Sequence, residues 1–188
     1  MKNNKPNLIL LNGPLAIGKS TLAKMYSARN PETLNIDIDL LRPAVEGHRV
    51  FTKESSELAW NKAAELGRAA ISSGKDVCIA QIMTRKEQWQ RLEELADDTG
   101  AQLFEILLYA PREEAIDRFM RRGRASGSDQ GYRPGGLIDR GGGIKLLEEK
   151  YDKMIDFANS RGQTIRIDSK CDRPEETYSA LLSVLNTH

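Results

Sequence analysis

Short apolar runs alternate along the chain with longer stretches in which apolar residues recur every three or four positions. The short runs are LILLN (8–12), TLNID (33–37), DVCIAQ (76–81), LFEILLY (103–109) and TIRID (164–168). Each has the length and the β-branched, apolar character of a buried strand. The helical spacing is clearest from Ser55 to Ser72, where Leu58, Ala59, Ala63, Leu66, Ala69 and Ala70 recur in step and Gly74 ends the run. Further helices are predicted over about 19–28, 85–98, 112–122, 144–159 and 174–185. Five strands alternating with helices predict an α/β fold: right-handed crossovers and a parallel sheet covered on both faces.

One segment breaks this alternation. In GRASGSDQGYRPGGLIDRGGG (123–143), eight of 21 residues are glycine and apolar side chains almost vanish. It cannot bury much surface, and periodic patterns resume after it. It is therefore expected to be a mobile lid-like loop within one domain spanning 1–188, not a linker between two.

Composition narrows the function. Of 188 residues, 28 are basic and 27 acidic, a net charge of +1, so no global field would hold the chain on long nucleic acid or an anionic membrane. No apolar stretch approaches the ~20 residues of a membrane span. The opening MKNNKPN is not followed by a secretory pattern, so a cytoplasmic location is expected. Cys78 and Cys171 form no ligand or redox spacing, which favours reduced thiols. Nothing in the sequence speaks to oligomeric state.

Between the first strand and the first helix stands GPLAIGKST, Gly13 to Thr21. A helix that starts at the carboxyl end of a parallel strand offers unpaired N–H groups and the positive end of its dipole, and an anion belongs there. Gly13 and Gly18 allow the backbone to curl, so that the loop through Pro14, Ala16 and Ile17 can cradle a phosphate chain. Lys19 brings charge to the β- and γ-phosphates, the Ser20 hydroxyl suits Mg²⁺, and Thr21 would reach the α-phosphate. The string matches G-x-x-x-x-G-K-[ST] in full, with the strand before it and the helix after it that the motif requires. No Asn/Thr-Lys-x-Asp sequence follows a strand to read a guanine base, and the chain is too short for a large motor ATPase.

At the end of the second strand, NIDIDLLR (35–42) places Asp37 and Asp39 two residues apart. Such a pair can divide two tasks, one carboxylate ordering the water around Mg²⁺ and the other taking a proton from an attacking hydroxyl. A plainer reading makes them the cap and turn of a short helix.

These elements together resemble the small P-loop kinases, a group that includes shikimate kinase, gluconate kinase, chloramphenicol phosphotransferase, zeta toxin and the kinase domain of phage polynucleotide kinase. The resemblance is carried by the Gly13–Ser20 loop, the D-x-D of Asp37 and Asp39, the D-x-x-R of Asp39 and Arg42, and YAPREEAIDRFMRRGR (109–124). It implies a three-layer P-loop NTPase fold with strand order 2-3-1-4-5, and ATP and Mg²⁺ as cosubstrates. It further implies Asp39 as catalytic base, Asp37 near the metal and Arg42 on the substrate. The chain departs from the group at Gln81, where many members end the third strand with an acid, so the metal falls to Ser20 and Asp37 and Gln81 becomes a substrate contact. Pro43 disfavours helix at Arg42 and is expected to displace its guanidinium.

Transfer of a γ-phosphoryl group spreads charge over oxygens that need cations. Arg118 and Arg122 are spaced to share a helix face and are expected over the phosphates; Arg133 and Arg140 could reach in when the loop closes. Glu114 and Asp117, four residues before Arg118 and Arg121, offer the alternative of surface ion pairs. Arg85, past the third strand, is a candidate substrate anchor. His48 fits an exposed loop, and Trp60 and Trp89 fit the core. In related kinases the segment after the last strand holds the adenine, which makes Asp172 and Arg173 minor candidates. The reading is an ATP-dependent kinase acting on a hydroxyl of a small molecule. Its rivals are a polynucleotide 5′-hydroxyl or zeta-toxin-like kinase and a nucleotide-binding switch that phosphorylates nothing.

Overall fold

The structure, a computed structural model, describes residues 5–45, 48–49, 52–125 and 143–187. Five strands, β1 (Asn7–Asn12), β2 (Thr33–Ile36), β3 (Asp76–Ala80), β4 (Gln102–Tyr109) and β5 (Ile165–Asp168), form one all-parallel sheet in the order β2-β3-β1-β4-β5. This is the expected α/β P-loop NTPase fold. β1 lies at the centre, where both faces are covered, and Leu8 to Leu11 are all completely buried. A continuous apolar run is what such a position demands.

Among the described residues six helices cover the sheet: α1 (Lys19–Arg29), α2 (Lys53–Ser72), α3 (Lys86–Thr99), α4 (Arg112–Ala125), α5 (Gly143–Asn159) and α6 (Pro174–Thr187). Alternation along β1 divides the core between the two faces. Leu8 and Leu10 pack with Trp60 of α2 and Trp89 and Leu92 of α3, whereas Ile9 and Leu11 pack with Leu22 of α1 and Leu181 of α6. Met154 and Ala158 of α5 pack on Leu107 of β4. Buried Glu105 of β4 accepts a hydrogen bond from Arg161 Nε at 2.8 Å, and the Arg161 guanidinium stacks 3.7 Å from the Trp89 ring. The tail of α5 is thereby tied to β4 and α3. Burial pushes the Glu105 carboxyl above its usual range, and Arg161 works against that push.

The observed elements match the predicted ones closely, and the differences have local causes. α2 begins at Lys53 because Thr52 and Ser55 form a reciprocal capping box: Thr52 Oγ1 accepts from the Ser55 amide at 3.1 Å, and Ser55 Oγ from the Thr52 amide at 2.9 Å. After β2 the chain makes a single 3₁₀ turn, Ile38–Leu41, followed by a two-residue antiparallel pair, Ala44–Val45 with His48–Arg49. Neither is long enough to show a periodic pattern. The expected lid at 123–143 lies outside the described residues except at its two ends, together with Arg133 and Arg140. The side chains of His48 and Arg124 lie outside them as well. Cys78 is buried, Cys171 exposed, and both are free. No helix among the described residues is long and apolar enough to cross a membrane.

Candidate functional site

The carboxyl ends of β1, β2 and β3 and the start of α1 converge on the 13–20 loop. Asn12, fully buried, anchors it: Oδ1 accepts from the amides of Gly13 (2.8 Å) and Met83 (3.0 Å), and Nδ2 donates to the Met83 carbonyl (3.3 Å). Gly13 has φ +148°, and a Cβ there would stand 2.6 Å from the Leu108 carbonyl oxygen, so only glycine fits. Gly18, at φ +107°, is the N-cap of α1, and its carbonyl opens the helix by accepting from the Leu22 amide. Ala16, at φ 59°, is the one non-glycine residue with positive φ among the described residues, a strained conformation at the crest of the loop.

Lys19 folds back over this curl. Its Nζ donates to the carbonyls of Gly13 and Pro14, each at 2.8 Å. Burial lowers its pKa to about 7; Asp39 and Asp37 act to raise it, and Arg122 lowers it further. Both carboxylates and Arg122 are therefore within electrostatic reach of the lysine. Ser20 and Thr21 are exposed on the first turn of α1.

The 3₁₀ turn arranges the two aspartates differently. Asp37 is its N-cap and accepts from the Asp39 amide at 3.1 Å. Burial raises the Asp37 pKa, helped by the Asp39 charge and opposed by the amides of Asp39 and Leu40 and by Lys24. Asp39 stands more open, its side chain 40% exposed, and its Oδ1 accepts from Arg42 Nε at 3.1 Å. The residue before Pro43 does leave the helix, with φ −66° and ψ 142° at Arg42. Its guanidinium turns back: Nη1 donates to Ser56 Oγ at 2.7 Å and Ser55 Oγ at 3.2 Å. The start of α2 thus holds the arginine that holds Asp39.

Arg118 and Arg122 share α4 but part company in space. Arg118 is buried. Its Nη1 donates to Ser169 Oγ at 3.1 Å, its Nη2 to the Ser169 carbonyl at 2.9 Å, and it pairs with Glu114. Ser169 Oγ in turn donates to the Ile17 carbonyl at 2.7 Å. A chain of hydrogen bonds therefore runs from α4 through the end of β5 into the phosphate loop. Arg122 is exposed and acts on Lys19. Arg121 pairs with Asp117 at 2.9 Å on the surface, as the four-residue spacing allowed. Gln81 Oε1 accepts from the Ile82 amide at 3.1 Å, and Arg85 is the exposed N-cap residue of α3.

Sequence reasoning passed over Asn12, Ser55, Ser56 and Ser169. Asn12 carried a signal, a polar residue closing a fully apolar strand directly before the glycine. The three serines carried none. Beside Arg118, a cleft of about 360 Å³ lies between α4 and the segment after β5, lined by Arg118, Ser169, Asp172 and Arg173.

The order of the sheet and the curled loop between β1 and α1 define a P-loop NTPase fold. Within that class the chain belongs to the AAA domain family, whose profile matches residues 8–132. No curated protein is significantly similar to it in sequence. Solved structures share its fold at low identity. A gluconokinase from Sinorhizobium meliloti 1021 is 14% identical, with 98% of this chain and 97% of that one covered and a TM-score of 0.61. A sugar kinase from Janibacter sp. HTCC2649 is 16% identical over 96% and 95% of the two chains, with a TM-score of 0.60. A chain of the Pnkp1/Rnl/Hen1 RNA repair complex is 19% identical; 84% of this chain and 49% of that one are covered, with a TM-score of 0.59.

Proposed function

We propose that this chain is a kinase that transfers the γ-phosphoryl group of ATP to a hydroxyl of a small molecule. The observation that carries the reading is Lys19, held on the Gly13 and Pro14 carbonyls with Asp39, Asp37 and Arg122 in electrostatic reach. A polyphosphate entering the loop replaces those carbonyls as partner of the ammonium and takes up the amides at the start of α1. The cleft between α4 and the segment after β5 suits the adenine, since the Arg118–Ser169–Ile17 chain joins it to the loop. Arg118, expected beside the transferring group, is better placed to position this end of the site, and Arg122 to meet the charge of the phosphates.

The donors present fit Mg²⁺. An exposed Ser20 hydroxyl and the Asp37 carboxylate are hard oxygen ligands of the kind that hold the ion together with phosphate oxygens. Among the described residues no cluster of three or more His, Cys, Asp or Glu could hold a metal ion. Bound there, Mg²⁺ would neutralise phosphate charge. Asp39 accepts the acceptor's proton: it is the more open carboxylate, and Arg42 with Ser55 and Ser56 fixes its rotamer. Gln81 and Arg85 flank the acceptor side at the end of β3. A neutral Gln81 contributes a hydrogen bond there without charge.

Asp39→Asn tests the assignment. Turnover is expected to fall by roughly 10²–10⁴-fold with the ATP affinity kept, whereas a nucleotide switch would be indifferent. Unchanged ADP release in this variant, or unchanged nucleotide binding in Lys19→Ala, would sink the reading. Short 5′-hydroxyl oligonucleotides in the same assay distinguish a nucleic-acid-end kinase; the balanced charge of the chain speaks against that acceptor.

A further inference from the structure

We infer that the phosphoryl acceptor carries an apolar group, a ring or branched aliphatic unit, seated in the cleft between the phosphate loop, α4 and α5. This deepens the phosphotransferase reading above and rests on it. The cleft measures about 230 Å³ and is walled by Leu15, Ile82, Ile116, Phe119, Leu147 and Met154. An apolar cavity of ~150 Å³ already accepts benzene, so a substituted ring fits.

The location points to the acceptor and not to the nucleotide. Pro14 lines the cleft, and its carbonyl binds Lys19 Nζ at 2.8 Å, so the wall begins one residue from the groups that meet the terminal phosphates. Ile82 and Thr84 extend it along the segment after β3, beyond Gln81. The adenine-sized cleft lies elsewhere, against Ser169 and Arg173. Neither the phosphates nor Mg²⁺ has any use for an apolar wall.

The chemistry of the lining excludes a polyol from this wall. Tyr151 commits its hydroxyl to the Ala110 carbonyl at 2.8 Å, which leaves Thr84 and Lys150 as the polar side chains of the lining. A substrate with a hydroxyl on every carbon would leave most of them unpaired against Phe119, Leu147 and Met154. An apolar group gains there by leaving water. Lys150, exposed at the rim, is placed to meet a polar or anionic substituent on the same molecule.

The test measures ADP release from ATP and Mg²⁺ with two probes, 3-phenylpropane-1,2-diol and glycerol. The phenyl diol is expected to act with a KM at least about tenfold below that of glycerol. Ile116→Trp, which fills the cleft from a half-buried position, should raise the phenyl diol KM by about tenfold or more and that of glycerol by less than about twofold. Should the tryptophan variant fail to fold, Ile116→Ser should raise the phenyl diol KM severalfold with the same selectivity. Equal KM values in the wild-type chain, or a phenyl diol KM untouched by either variant, overturn the inference and leave the kinase reading standing. A wild-type chain that does not bind ATP overturns the kinase reading itself. If ATP binds and neither probe promotes ADP release, saturation-transfer NMR with the phenyl diol decides. A transfer signal present in the wild type and abolished by the Ile116 substitution upholds the cleft; no transfer signal in the wild type overturns it.

Discussion

The phosphate loop follows β1 and the aspartate turn follows β2, both at carboxyl ends of strands of one parallel sheet, and they are built in opposite ways. In the loop the shape is backbone: Gly13 and Gly18 adopt conformations other residues avoid, and Ser169 and Asn12 lock main-chain groups in place. In the turn the shape is side chain: Asp39 is held by Arg42, and Arg42 by two hydroxyls at the start of α2. Phosphates need a fixed ring of amides whatever molecule is phosphorylated. An acceptor site, under the proposed kinase reading, must fit one particular molecule, and exchangeable side chains suit that task.

The comparison predicts a graded series of effects. Gly13→Ala should do the most, because the new Cβ would collide with the Leu108 carbonyl. A loss of roughly 2–4 kcal/mol in urea unfolding is expected, together with loss of ATP binding. A soluble variant that still binds ATP would show that the loop is less rigid than its hydrogen bonds imply.

Ser169→Ala comes next. It leaves the Ile17 carbonyl without its donor and the buried Arg118 with one acceptor fewer. Stability should drop by about 1–3 kcal/mol and ATP affinity should fall with it. A change in stability alone would separate this clasp from the nucleotide site.

Ser56→Ala should barely touch stability, at ~0.5–1 kcal/mol, since Arg42 retains Asp39 and Ser55. Turnover should decrease severalfold while ATP affinity holds. The reverse pattern would break the division between a backbone-built and a side-chain-built half.

The smallest signal is a proton. The Lys19 pKa is about 7 without ligand, so at about pH 8 the ammonium is mostly deprotonated, and bound phosphates restore its charge. ATP binding should then take up close to one proton at about pH 8 and almost none near pH 6. Calorimetry in buffers of different ionisation heat reads this directly, and equal heats at the higher pH would contradict it.

Much of this architecture was legible in the residues. β1 shows as an uninterrupted apolar run because both its faces are covered, and GPLAIGKST shows the loop because its geometry demands glycine at fixed offsets. The 3₁₀ turn at 38–41 was not legible, since four residues carry no period. The parting of Arg118 from Arg122 was hidden for another reason: four-residue spacing puts them on one helical face, yet burial against Ser169 takes one and the loop's field takes the other.

The chain by itself determined the order of elements, the parallel sheet and the position of the phosphate curl, because periodicity and glycine placement act through neighbours in sequence. Only the tertiary structure decided which carboxylate is open, which arginine is clasped, and that an apolar cleft lies beside the loop. Those outcomes depend on pairings between residues far apart in the chain, such as Ser169 with Ile17, and no local spacing encodes a distance across the fold.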